Sequence, residues 1–255
     1  MKKVSLKNGR YYYPLGSYSL LRVLTFERFE KYFREAPGGD LAVDYGAGDH
    51  PYEGMVRAKY RRYLAADYVA TYRDFSEART PDIVLNGGGL PLADASVDCI
   101  TLTEVLQYLY DPTSVLLEFK RVLKPGGCLL GTVPFAIQHH DEPHDYHRYT
   151  YYSLRRMFVD AGFQIQNLDY VGDMVAVWTT LGVQILELMP KGLDKARLKP
   201  VGAALHKLFR LPLFAYYYAS KAGLDPAKIK YFRRYPLGFS FYCISSDTVP
   251  EKKHI

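Results

Sequence analysis

Residues 139–150 read HHDEPHDYHRYT and hold four of the chain's seven histidines (His139, His140, His144 and His147), three carboxylates, two tyrosines and an arginine. A free imidazole titrates near neutrality, so a histidine here could take the proton of a hydroxyl. His140, Asp141 and His144 could instead hold a divalent cation, although their spacing matches no diagnostic ligand pattern and no metal is expected on this basis. The third reading is a polar connector in which Asp145 and Arg148 pair and Thr150 caps the next helix. Which applies depends on where a fold places the segment.

A second stretch, VDYGAGDHPY, follows an apolar run and precedes a helical one, the position of a ligand-binding turn at the carboxyl end of a strand. Gly46 and Gly48, with Ala47 between them, allow close backbone approach. A dinucleotide fingerprint needs a third glycine where Pro51 stands, which disfavours a pyrophosphate on the helix N-terminus. About twenty residues on, Asp67 ends YLAADY, where a carboxylate can accept both hydroxyls of a ribose; it could equally cap the turn.

The elements that must position these residues alternate. SYSLLRVLTFERFEKYFREAPGG places Leu20, Leu21, Leu24, Phe29 and Phe33 at helical spacing after a candidate N-cap, Ser17, which predicts a leading helix over 17–35. Strand-like runs follow at 41–46, 62–68, 82–86, 97–104, 128–135 and 163–171, with helices at about 113–123 and 153–161. Lys124 suits the negative end of the first of these helices, and Pro125 with two glycines ends it. Short apolar strands joined by crossovers mean a parallel sheet in one α/β domain: a core over 40–172, a helical cap or insertion over 173–235, and a closing strand over 236–247.

With 255 residues, 48% of them hydrophobic, the chain can bury an ordinary core. A net charge of +6 spread over mixed signs, with no basic stripe interleaved with aromatics, does not suggest a nucleic-acid partner. Three dispersed cysteines give neither a disulfide framework nor a thiolate zinc site. With no apolar run of spanning length and no signal-peptide pattern, a cytoplasmic location is expected. The 24 tyrosines suit a wet interface, a sugar platform or a membrane surface, or simply the edge of a core.

In their order, LAVDYGAGDHPY, YLAADY, DIVLNGGGLPLADASVDCITLTEVLQYLYDP and LLEFKRVLKPGGCLLGTVP resemble the class I S-adenosylmethionine-dependent methyltransferases of the broad type 11 family, over about residues 40–135. The resemblance implies a Rossmann-like, doubly wound, seven-stranded and mostly parallel sheet whose last strand is antiparallel. It also implies S-adenosyl-L-methionine as cofactor, with Asp44, Gly46, Ala47 and Gly48 along its methionine part, Asp67 on the ribose, and Tyr68 beside the adenine. Asn86 and Gly87 stand where the family often has an Asp and a small residue at the adenine edge, so Asn86 keeps an acceptor and drops a charge. Thr103 and Glu104 flank the reactive end. Tyr108 replaces a frequent histidine; a phenol there can orient a hydroxyl and is carried as a catalytic candidate with His140.

The histidine segment follows the fifth strand, at the edge where open α/β sheets bind ligands. It resembles a motif of methyltransferases associated with polysaccharide and lipid-linked glycan genes, matched by His140, Pro143, Asp145, Tyr146, Arg148, Tyr149 and Thr150, with His147 replacing an aromatic. That implies His140 as general base or hydroxyl ligand, and His139, His144, Arg148 and Tyr149 on the acceptor. The function expected is O-methylation of a sugar hydroxyl on a glycan, glycolipid or glycosylated small molecule. A small aromatic or lipid acceptor such as a quinone precursor, and a non-catalytic cofactor-binding module, are the alternatives. Apolar helices over 173–235, with Lys199, Lys207, Arg210, Lys221, Lys228, Lys230, Arg233 and Arg234 nearby, leave open peripheral contact with the inner face of a membrane, a homodimer interface, or an ordinary cap over the cofactor cleft.

Overall fold

The computed structural model describes residues 5–7, 10–12, 19–68, 80–87, 89–188, 211, 215 and 234–246. Two short strands, β1 (Ser5–Lys7) and β2 (Arg10–Tyr12), pair antiparallel, with Lys7 opposite Arg10. The Asn8-Gly9 pair between them is the strongest short sequence signal for a hairpin. Helix α1 (Ser19–Glu35) follows; the expected cap Ser17 lies outside the described residues. The chain divides into two compact units, one of Met1–Glu27 with Tyr170–Gly238 and one of Arg28–Asp169 with Phe239–Ile255.

The larger unit holds the sheet. Its strands are β3 (Gly39–Tyr45), β4 (Tyr60–Tyr68), β5 (Ile83–Leu85), β6 (Val97–Thr103), β7 (Leu123–Pro134), β8 (Phe163–Val171) and β9 (Gly238–Ser245), in the spatial order β5-β4-β3-β6-β7-β9-β8. Pairs β3–β4, β4–β5, β3–β6 and β6–β7 are parallel, and the last strands run antiparallel. The chain leaves β3 in one direction through β4 and β5, then returns to β6 and β7 on the other side. Such a reversal opens a crevice at the carboxyl ends of β3 and β6, because the connections on either side diverge there. Leu41 to Tyr45 are all buried, which explains why this strand reads as an uninterrupted apolar run broken only by Asp44.

Among the described residues this unit also holds the α-helices α2 (Glu53–Arg57), α3 (Pro112–Val122) and α4 (Tyr151–Asp160), besides the end of α1. Asp111 caps α3, its carboxylate accepting from the Ser114 amide at 3.1 Å, and Pro112 occupies the first turn, where no amide is needed. Thr150 caps α4 through Ser153 at 3.2 Å, as its position in the sequence suggests. In the other unit, buried Asp173 caps α5 (Met174–Leu188) by accepting from Val175 and Ala176. The rest of the expected insertion, apart from the helical residues 211 and 215, and its basic residues other than Arg234, lie outside the described residues.

One local expectation is corrected. Lys124 does not complement the end of a helix, because α3 stops at Val122 and Leu123 is already extended (φ −70°, ψ 135°). A residue preceding proline is driven out of the helical region, and the strand therefore starts five residues before the expected Cys128. The Lys124 ammonium reaches Asp98 Oδ1 instead, at 2.8 Å. Asp98 Oδ2 also accepts from the Asp40 and Leu41 amides (3.1 and 2.9 Å), so one carboxylate ties together the starting ends of β3, β6 and β7. Burial works against ionisation at Asp98, but the hydrogen bonds from Lys124 and from these amides outweigh it and hold the carboxyl below its ordinary range.

At the far end of β3, Gly46 turns the chain. Its φ is 76°, and a Cβ there would lie 2.3 Å from Val105 Cγ2, so both conformation and space exclude a side chain. We predict that Gly46→Ala destabilises the fold by about 2–4 kcal/mol in urea unfolding, and that adding Val105→Ala recovers only part of this, since it relieves the clash and not the left-handed backbone. Asp98→Asn should cost about 1–3 kcal/mol at pH 7. Because the folded pKa is depressed, that contribution is present above the unfolded value of about 3.9 and is lost as pH falls through the folded one, so the gap to wild type should close between about pH 5 and pH 3.

Candidate active site

Beyond Gly46, the loop after β3 is fastened to β4. Gly46 and Ala47 donate to the Ala66 carbonyl at 2.7 and 3.2 Å, and Gly48 donates to Asp67 Oδ2 at 2.7 Å. The other Asp67 oxygen accepts from the Tyr68 amide at 2.7 Å. A carboxylate offers about four lone-pair directions, so Asp67 keeps about two for the hydroxyl pair of a ribose. Gly48 has φ 51°, and a Cβ on it would meet nothing within 4 Å, so the turn borders open space. These two features fit an S-adenosylmethionine nucleoside and tail.

Asp44 lies beneath the loop. Its carboxylate is fully buried and accepts from the Tyr63 hydroxyl at 2.9 Å and the Thr101 hydroxyl at 2.7 Å. Desolvation raises its pKa, and those two hydrogen bonds oppose the rise. Asp44 thereby joins β3, β4 and β6 directly under the turn. Tyr68 shares a 2.8 Å hydroxyl contact with Tyr45, whose ring packs edge-on against Phe119. Asn86 and Gly87 form an exposed turn after β5, with Gly87 at φ 105°. Thr103 ends β6, and Glu104 follows at φ 57°, its amide donating to Thr132 and its carbonyl accepting from the Gln107 side chain.

Among the described residues, the non-glycine positions with left-handed backbone are His50, Ala95, Glu104 and Asp141. Three of these follow the carboxyl ends of β3, β6 and β7. Each costs on the order of 1–2 kcal/mol, and such strain persists where surrounding structure enforces it.

The histidine segment follows β7 and is organised around Asp145, whose side chain is only 2% exposed. Arg148 grips it with both guanidinium nitrogens, at 2.5 and 2.7 Å, and also donates to the His147 and Gln138 carbonyls. Burial raises the Asp145 pKa, but the Arg148 hydrogen bonds, the His140 amide and the Arg148 charge outweigh it, so the carboxyl sits below its ordinary range. Asp145 in turn raises Arg148. His140 lies on the other side of this carboxylate: its amide donates to Oδ2 at 3.2 Å, and its Nδ1 is 3.4 Å from the same oxygen and 3.1 Å from the Gln138 carbonyl. A carbonyl only accepts, so Nδ1 is the donor in this hydrogen bond, and in a neutral ring the lone pair falls on Nε2.

Tyr108 packs its ring edge-on against His140, with centroids 5.5 Å apart, and donates to Asp141 Oδ2 at 2.7 Å. Burial and this carboxylate push the phenol above its usual range, which keeps it a hydrogen-bond donor. His139 is exposed, with Nδ1 3.6 Å from Asp145, and His144 shares a 3.1 Å contact with the Tyr146 hydroxyl. Of the other residues expected on the acceptor, Arg148 is committed to Asp145, and Tyr149 is buried with its hydroxyl donating to the Leu106 carbonyl. Sequence reasoning missed Gln107, whose carbonyl accepts from the Tyr146 and His147 amides and so sets the loop's position. It missed Gln138 as well. Both act through main-chain oxygens, which residue type does not reveal. Among the described residues no three His, Cys, Asp or Glu side chains converge as metal ligands, and no helix is long and apolar enough to cross a membrane.

Residues 43–131 match the family model described as a methyltransferase domain. Among curated proteins, the chain is 30% identical over 112 residues to the "Probable S-adenosylmethionine-dependent methyltransferase" of Mycolicibacterium smegmatis, covering 43% of each chain. It is 30% identical over 146 residues to the demethylmenaquinone methyltransferase of Paenarthrobacter aurescens, covering 54% of each. The chain thus spans about half the length of these relatives, or less. The protein solved in complex with the Haloferax volcanii Trm112 methyltransferase activator shares the fold, with a TM-score of 0.54 at 20% identity over 88% of this chain and 89% of that one. With the strand order, the glycine turn and the acid at the end of β4 in place, residues 43–131 match a methyltransferase domain, and the sheet has the Rossmann-like methyltransferase fold.

Proposed function

We propose that this chain transfers a methyl group from S-adenosylmethionine to a sugar hydroxyl of a glycan, glycolipid or glycosylated small molecule, with His140 as general base. When bound, the cofactor supplies a methyl on a sulfonium, an electrophile that needs only a nucleophile held in line. Asp67 would take the ribose hydroxyls, and the Gly46–Gly48 turn would border the methionine part, with Asp44 holding that turn from below. Tyr68, Asn86 and Gly87 would lie along the adenine, and Thr103 and Glu104 would flank the reactive end.

What remains for the chain is the acceptor's proton. A hydroxyl is a poor nucleophile until that proton leaves, and His140 supports such a step. The observation that carries the reading is the placement of Nδ1 against the Gln138 carbonyl and Asp145, which would leave Nε2 to receive the proton. Asp145, kept ionised by Arg148, then faces the imidazolium and stabilises it, the arrangement of a base oriented by a carboxylate. Tyr108 walls one side of the ring and fixes Asp141. His139 and His144 stand on the exposed side of the loop, where an acceptor's hydroxyls could reach them, while Arg148 and Tyr149 serve by holding the loop in shape.

A second reading, transfer to a quinol-type acceptor, is favoured by one observation: the P. aurescens relative is named for demethylmenaquinone and is matched over 146 residues. The same base would serve a phenolic hydroxyl, so the acceptors must be compared directly.

Calorimetry with S-adenosylhomocysteine and transfer of labelled methyl to methyl glycosides and to a naphthoquinol test both readings. We expect His140→Ala to bind S-adenosylhomocysteine as wild type does and to lose about 10²–10⁴-fold in transfer rate. Asp145→Asn should lose about tenfold or more while cofactor binding holds. A His140→Ala enzyme with full transfer at neutral pH sinks the base assignment. Tight cofactor binding with no transfer to either acceptor class favours a non-catalytic module, and no cofactor binding removes the enzyme reading altogether.

A further inference from the structure

Two tyrosine rings stand beside this loop with no part in the proton transfer. Tyr110 is 82% exposed and Tyr146 42% exposed, and their centroids lie 5.4 Å apart at 81°. Exposed tyrosines are often loose, but Tyr146 is held and Tyr110 packs edge-on against it. The Tyr146 amide donates to the Gln107 carbonyl at 3.0 Å, its hydroxyl contacts His144 Nδ1 at 3.1 Å, and its ring lies against His144 and His147. Tyr110 sits between the helical turn Leu106–Tyr108 and Asp111, the cap of α3. The Tyr146 ring is therefore held before any ligand arrives, with Tyr110 against it, which lowers the entropy lost when one binds.

Their surroundings select the occupant. Exposed carboxylates lie close by in the chain: Asp111 follows Tyr110, and Asp141, which accepts from Tyr108, precedes Glu142, while Arg148 is consumed by Asp145. An anionic headgroup would meet these carboxylates. A wholly apolar molecule would leave those carboxylates facing hydrocarbon, which costs more than it gains. A neutral pyranose meets both demands, since its C–H face packs on an aromatic ring and its hydroxyls donate to carboxylates at the rim.

We propose that Tyr110 and Tyr146 form a stacking platform for a neutral pyranose ring of the acceptor, with Asp141 and Glu142 taking its hydroxyls. The platform rests on the methyl-transfer reading above, and it names the part of the protein that selects the sugar. It lies on the same loop as His140 and on the segment after β6, so a ring seated there is presented to the base from the carboxyl edge of the sheet.

The test is saturation-transfer NMR on the full chain loaded with S-adenosylhomocysteine, using methyl glucoside, mannoside, galactoside and rhamnoside, with menadiol as the flat aromatic comparison. Ring C–H protons of at least one pyranoside should be saturated by wild type. The signal should fall about tenfold in the Tyr110→Ala/Tyr146→Ala double variant and be kept in Tyr110→Phe, because the ring and not the hydroxyl does the stacking. S-Adenosylhomocysteine affinity should be the same in all of these proteins. No pyranoside signal in wild type, an unchanged signal in the double variant, or saturation of menadiol alone would each overturn the platform. Pyranoside methylation by a double variant with unchanged KM would do so too, while leaving the methyltransferase reading standing. A wild-type protein that fails to bind S-adenosylhomocysteine overturns that reading and the platform with it.

Discussion

Asp145 stays ionised although burial works against it, and the shape of the histidine segment depends on that. A carboxylate with 2% of its side chain exposed needs a partner within the protein. Arg148 supplies one in bidentate form, with both nitrogens at 2.5–2.7 Å. Through the opposite face of the same carboxylate, His140 receives its orientation by backbone and ring together. Without Arg148 the carboxyl would drift upward in pKa, the imidazole would lose its anionic neighbour, and the loop would lose the link between Gln138 and His147 that the guanidinium also makes. One ion pair thus sets loop shape, histidine orientation and the charge available to an imidazolium.

The second buried carboxylate makes the contrast. Among the described residues Asp44 has no cation in hydrogen-bond contact; its hydrogen bonds come from two hydroxyls, Tyr63 and Thr101, and desolvation prevails so that its pKa rises. Accepting from one hydroxyl on each neighbouring strand, it braces three strands beneath a turn. The same residue type does mechanical work under the glycine turn after β3 and electrostatic work in the histidine segment after β7. The difference lies in the groups around it, not in depth alone.

Strand positions could be read from the sequence because parallel strands buried on both faces leave apolar runs that little else produces, and the half-exposed edge strand β8 was found residue for residue after the Gly162 break. The capping threonine of α4 was visible for a similar reason: it acts on an amide three residues away. What escaped was set by longer reach or by competing local rules. Lys124 had two possible partners, a helix end and a carboxylate on another strand, and only the fold brings Asp98 to it. Gln107 steers the histidine loop through its carbonyl across 39 positions, a role open to any residue type. The hairpin at β1 and β2 carried an Asn-Gly signal that three-residue strands made easy to pass over. In the histidine segment the residue types announced chemistry, yet Arg148 and Tyr149 are spent on framework, because local pairs three apart compete well with a ligand for the same groups.

The domain match ends at residue 131, and β7 ends at Pro134. Everything that distinguishes one acceptor from another in the reading proposed here comes after that point or on the segment after β6. The division has a physical root. In that reading the cofactor sets fixed demands, namely a turn, a carboxylate for two hydroxyls and a brace under the loop, and few residue patterns meet them. An acceptor hydroxyl demands only a proton sink at a given place, and many loops can supply one. Left-handed backbone at Glu104 and Asp141, at the ends of β6 and β7, shows where the fold accepts strain to aim that part of the chain. Selectivity is then a property of short, strained connections whose residues are free to vary, and it has to be read from what those residues touch.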